Sequence, residues 1–90
     1  MTLRILSAPP PDPEALAAQL VKAVRAALPD AQVEVGIGSP GHFALEVASG
    51  AFAGLSRVRQ QQKVYAAIQH LMAGDAAPVH AIDRLITRPL

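Results

Sequence analysis

Between residues 31 and 48 the apolar side chains fall at every second position, and this alternation limits the fold more than any other feature of the chain. Val33, Val35 and Ile37 alternate with Gln32, Glu34 and Gly36, and Phe43, Leu45 and Val47 alternate with His42, Ala44 and Glu46. Successive side chains of a strand point to opposite faces, so each run describes a strand with one buried face. Gly38-Ser39-Pro40-Gly41 supplies the turn, and the two runs read as a hairpin. An isolated hairpin is at best marginal in water, so other elements must cover this apolar face.

Two helical segments are available for that task. The first opens at Asp12-Pro13-Glu14, with Asp12 as cap, Pro13 at the first helical position and Glu14 at the positive end of the dipole. Leu16, Leu20, Val24, Ala27 and Leu28 form its apolar face with Val21 beside them, Lys22 and Arg25 lie near its end, and Pro29 stops it. The second is capped by Ser56, carries Gln61, Val64, Tyr65, Ile68, Leu71 and Met72 on one face, and ends at Gly74 and Asp75. A last strand, Val79 to Thr87, follows Pro78, with Ile82 and Ile86 read as its inward pair and Arg84 as an edge residue. The order is α-β-β-α-β. A right-handed crossover then sets the last strand parallel to the second. Phe43, Leu45, Val47, Leu20, Val24, Val64, Ile68 and Leu71 are the expected core. Residues 1–11, with Pro9, Pro10 and Pro11, read as an extended tail in which Leu3, Ile5 and Leu6 could pair at a sheet edge, and residues 12–90 as one domain.

Composition removes several classes of function. The chain has no cysteine, which excludes a disulfide framework, a thiolate zinc site and an iron–sulfur site built from this chain alone. Eight basic and seven acidic residues leave a net charge of +1, so there is no general attraction to nucleic acid or anionic membrane, and any anion site must be local. The first residues have too short an apolar run for a signal peptide, and no stretch approaches the roughly 20 residues of a membrane span. A cytoplasmic protein that does not enter a membrane is the resulting expectation.

The polar residues assemble no catalytic constellation. Serines lie in loops or caps and carboxylates are scattered, so the chain reads as a non-enzyme. Gly36-Ile37-Gly38-Ser39-Pro40-Gly41 matches the dinucleotide-binding G-x-G-x-x-G pattern, but a strand follows where a helix would have to face the phosphates. The hairpin turn explains these glycines. Arg57, Arg59 and Lys63 crowd the start of the second helix, where cations oppose the dipole, and with the Ser56 cap they form a candidate anion- or partner-binding site. Stacking residues for single strands are scarce, since Phe43 and Tyr65 are expected to point inward and only Phe52 lacks a core assignment. His70, near the end of the second helix, reads as a favourable dipole contact.

Gly41-His42-Phe43, Phe52-Ala53-Gly54-Leu55-Ser56-Arg57-Val58, Gln61-Gln62-Lys63-Val64-Tyr65 and Val79-His80-Ala81-Ile82, in this order and spacing, resemble the BolA-like family and most of all its short-loop bacterial, IbaG-like members. The resemblance implies an α+β, class II KH-like fold with a three-stranded mixed sheet and both helices on one face. It also implies partnership with a monothiol glutaredoxin and a 2Fe–2S cluster held jointly by the glutaredoxin cysteine, glutathione and the BolA-like chain, with roles in cluster trafficking, iron regulation, transcription and stress. His80 falls on the histidine that the family uses as a cluster ligand. Ser39 stands where cysteine-type relatives carry a second ligand, and a protonated hydroxyl is a poor substitute for a thiolate. His42 is therefore the candidate for the second position. The resemblance leaves DNA and a second copy of the chain open as further partners, and a KH-like nucleic-acid-binding regulator is the competing function.

Overall fold

In a computed structural model, which describes residues 12–90, helix α1 (Pro13–Ala27) starts where its capping residues place it. The Asp12 carboxylate accepts a 3.0 Å hydrogen bond from the Glu14 backbone N–H, satisfying a donor that the first turn leaves free. Leu16, Leu20, Val24 and Leu28 are buried, whereas Ala27, expected beside them, is exposed. The tail and the edge pairing expected for residues 1–11 lie outside the described residues.

Strands β1 (Gln32–Ile37) and β2 (His42–Ala48) pair antiparallel, with Val33 opposite Val47 and Val35 opposite Leu45. Between them Ser39 accepts a 2.8 Å bond from the His42 N–H, and Pro40 and Gly41 occupy the two central positions of this turn. Gly41 has φ of 79°, the left-handed value that the third position of a type II turn requires, which is why glycine stands there. Ile37, expected inward, is 47% exposed: it is the last residue of an edge strand, beside this turn.

Helix α2 (Arg57–Met72) begins at Ser56, whose hydroxyl accepts a 3.2 Å bond from the Arg59 N–H. Its buried face is Gln60, Val64, Ile68 and Leu71. Gln60 is tolerated there because its amide donates to the Leu55 carbonyl at 3.0 Å. The aromatic residues depart from the expectation in one case and settle an unassigned one. Tyr65 does not point inward but is 40% exposed, and Phe52, at the end of a short 3-10 turn (Gly50–Phe52), is fully buried in the core.

Strand β3 (Ala81–Arg88) lies parallel to β2 and completes a mixed sheet in the order β1-β2-β3. Phe43 pairs with Ile82, but the next residue, Ala44, pairs with Arg84, so Asp83 is an extra residue in the strand. This bulge shifts the alternation by one. Leu85, not the expected Ile86, therefore joins Ile82 against the core, and Asp83 and Arg84 are both exposed. Helix α1 packs on β1 and against α2, which packs on β3. All eight expected core residues are buried, and Phe52 and Val79 join them.

One polar clasp ties the α1–β1 connection to the end of β2. Asp30 accepts bonds from the Ser49 hydroxyl at 2.7 Å and the Gly50 N–H at 2.8 Å. The Ser49 bond, with the Gly50 bond after it, holds the Asp30 carboxyl below its ordinary value against the opposing effect of desolvation. A carboxylate with a depressed folded-state pKa contributes stability that is present above its unfolded pKa and is lost as pH falls through the folded one. Acid unfolding followed by circular dichroism is therefore expected to show a loss of stability below about pH 4 that is smaller in Asp30→Asn. Identical acid dependence in the two proteins would show the clasp to be idle.

Candidate functional site

The start of β3 is fastened before His80 is reached. Val79 is fully buried and its N–H donates to the Leu71 carbonyl at 3.1 Å. The N–H groups of His80 and Ala81 then both donate to the Gly41 carbonyl, at 2.8 and 3.2 Å. The His80 ring lies against Gly41 itself. A Cβ at position 41 would come within 2.6 Å of His80 Nδ1 and 2.7 Å of Cγ, so only a glycine leaves this cradle open for the imidazole. Gly41 thus serves the turn and the histidine together. The His80 side chain is exposed and borders a depression of about 230 Å³ shared with Leu16, Asp75 and Pro78.

His42 enters the same corner from β2 and pairs with Ala81. Its Nδ1 lies 2.9 Å from Asp83 Oδ1, with the two side chains 37% and 57% exposed. Asp83 reaches it from the bulge, and Gly38 also lies within van der Waals contact of the carboxylate were it to carry a Cβ. Alternation with Ile82 and Ile86 inward puts Asp83 on the outward face of β3, but nothing in it marks Asp83 as a partner of His42. The backbones of His42 and His80 are neighbours, but no hydrogen bond joins the two rings. Among the described residues no group of three His, Cys, Asp or Glu side chains gathers to hold a metal. A donor set of separate, accessible imidazoles without thiolates suits a centre completed by another molecule and does not suit a self-contained one.

The basic residues divide between two places. Arg59 and Lys63, four positions apart, share one side of α2 with Leu55, Gln62 and Ala66, whereas Arg57 lies toward β3 with Gln61, Leu85 and Thr87. All three are exposed, and among the described residues none forms an ion pair. The Ser56 hydroxyl is engaged in capping α2. Gln61, read as part of the apolar face, instead donates to the Leu85 carbonyl at 3.1 Å and docks α2 to β3. His70 is exposed in the last turn of α2.

The family model for BolA-like proteins matches residues 14–87, from the first turn of α1 almost to the end of β3. The chain belongs to the BolA-like family. The match spans the turn, the start of α2 and His80. Among solved structures, BolA1 from Arabidopsis thaliana is similar at a TM-score of 0.65 and 16% identity, covering 81% of this chain and 89% of that one. A BolA-like hypothetical protein from Rickettsia prowazekii, solved by NMR, has a TM-score of 0.61 and 25% identity over 82% of this chain and 94% of its own. No curated protein matches the sequence. The α+β arrangement of two helices on a three-stranded mixed sheet is thus the BolA-like fold.

Proposed function

We propose that this BolA-like protein is a non-enzymatic adaptor that binds a monothiol glutaredoxin and shares a 2Fe–2S cluster with it, in the cytoplasm, for cluster trafficking or iron regulation. The observation that supports the reading most is the presentation of His80: an exposed imidazole on a backbone pinned by Val79 and Gly41, in a cradle that a side chain at position 41 would fill. A neutral imidazole is a competent ligand to a borderline metal such as iron, and the remaining thiolate ligands would come from the glutaredoxin cysteine and glutathione. His42 is the candidate for a second imidazole. No helix among the described residues is long and apolar enough to cross a membrane. Mixing the protein with a cluster-loaded monothiol glutaredoxin and recording visible circular dichroism tests the reading. A new, saturable spectrum is expected, and an unchanged one would remove the cofactor.

Arg57 and Arg59 stand exposed and, among the described residues, without ion pairs, as a surface for glutathione carboxylates or an acidic partner would. Arg57→Ala combined with Arg59→Ala is expected to weaken glutaredoxin binding roughly fivefold at low salt without unfolding the domain, each charge contributing about 0.5 kcal/mol. Tyr65, unexpectedly exposed on the same helix, favours a second reading in which α2 binds nucleic acid by charge and stacking. The same double variant separates the two. Unchanged glutaredoxin affinity with lost binding of a DNA probe would favour the nucleic-acid reading, and no change in either would make these arginines ordinary solvated charges.

A further inference from the structure

We infer that Asp83 is a positioning residue for His42, holding its imidazole in the Nδ1–H tautomer so that Nε2 carries the free lone pair. Four observations lead there. His42–Asp83, at 2.9 Å, is the one ion pair among the described residues. The carboxylate meets Nδ1 and not Nε2. Asp83 is the extra residue of β3, two positions beyond the Ala81 that pairs with His42, and bulges of this kind re-aim side chains at the cost of a disturbed ladder. Finally, both side chains are substantially exposed, so the pair adds little to stability and its geometry is better explained by what it does to the ring.

The consequence follows from imidazole chemistry. A carboxylate is acceptor-only, so a neutral His42 bonded to it must donate from Nδ1. Its other nitrogen then has no proton and can serve as a metal donor. A histidine ligand whose second nitrogen donates to a carboxylate is the usual arrangement at metal centres, where that partner fixes the tautomer and the ring orientation and raises the basicity of the ligand. The ligand role of Nε2 rests on the cluster-sharing reading above; the tautomer does not.

The experiment uses the full chain labelled with 15N. Long-range proton–nitrogen correlation at mildly alkaline pH, where both nitrogens of a neutral ring can be told apart, is expected to show His42 as Nδ1–H in the wild type. Asp83→Ala should convert it to a mixture dominated by Nε2–H, the form an unrestrained histidine side chain favours, while Asp83→Asn, which keeps an acceptor oxygen, should retain the wild-type tautomer in part. His80 should not change. The same variants are then mixed with cluster-loaded glutaredoxin: Asp83→Ala should shift the visible circular dichroism in the same sense as His42→Ala, and Asp83→Asn should lie between it and the wild type. A wild-type His42 that is already Nε2–H, or the same tautomer in wild type and Asp83→Ala, overturns the inference while leaving the cluster reading intact. A converted tautomer with an unaltered mixed-cluster spectrum overturns the positioning role. Failure of the wild type to give any mixed-cluster spectrum overturns the cluster reading, and with it the ligand role of Nε2, whatever the tautomer.

Discussion

Replacing Phe52 by alanine is expected to remove about 3–5 kcal/mol of stability, the usual cost of truncating a fully buried phenylalanine. A domain of this size has roughly 5–10 kcal/mol in total, so the variant should be close to half unfolded by mild denaturant. The aromatic ring carries this weight because the core otherwise consists almost wholly of aliphatic side chains; Phe43 and Phe52 are the only phenylalanines in the chain, and both are buried. Phe52 also closes the connection between β2 and α2, where Ser49 caps the 3-10 turn by accepting from the Ala51 N–H at 3.1 Å. Phe52→Leu, which conserves most of the volume, should cost less than about 1.5 kcal/mol. Urea unfolding monitored by far-ultraviolet circular dichroism gives both values. A loss below about 1 kcal/mol for the alanine variant would mean that the ring is not packed as described.

Phe52 also marks where the sequence ceases to be readable by period alone. The caps at Asp12 and Ser56, the stop at Pro29 and the two alternating strands each follow from a local rule, and local rules placed both helices and the hairpin. Phe52 lies in an irregular connection, where no period assigns a face, and its burial is decided by the elements on either side. Helical spacing places Tyr65 inward, but the buried stripe of α2 runs through Gln60, Val64 and Ile68, and a polar residue such as Gln60 enters it only because the Leu55 carbonyl is within reach. In β3 the expectation of an inward Ile86 fails for a different reason. Strict alternation presumes an uninterrupted ladder, and the extra residue at Asp83 hands the inward position to Leu85. The candidate site follows the same division. His80 enters the candidate site through the resemblance of the residues around it to the BolA-like family, whereas the Asp83 contact to His42 depends on pairing between strands, with 41 positions separating the two residues. No local pattern encodes that pairing.

His80→Ala is expected to leave the isolated domain folded and to abolish or displace the mixed-cluster spectrum with glutaredoxin. The first half follows from place: the His80 side chain is exposed, and the bonds that hold its segment are made by backbone groups and by the buried Val79. Removing an exposed side chain of this kind typically changes stability by no more than about 0.5 kcal/mol. The second half follows from the metal, because exchanging an imidazole for another ligand changes the charge and potential of the iron it binds. Visible circular dichroism of a titration of His80→Ala into cluster-loaded monothiol glutaredoxin, set beside the wild-type titration and a thermal melt of each free protein, is the most direct measurement. Matching melts with a lost or altered spectrum are the predicted result; matching melts with the wild-type spectrum and wild-type cluster stability would contradict His80 as a ligand.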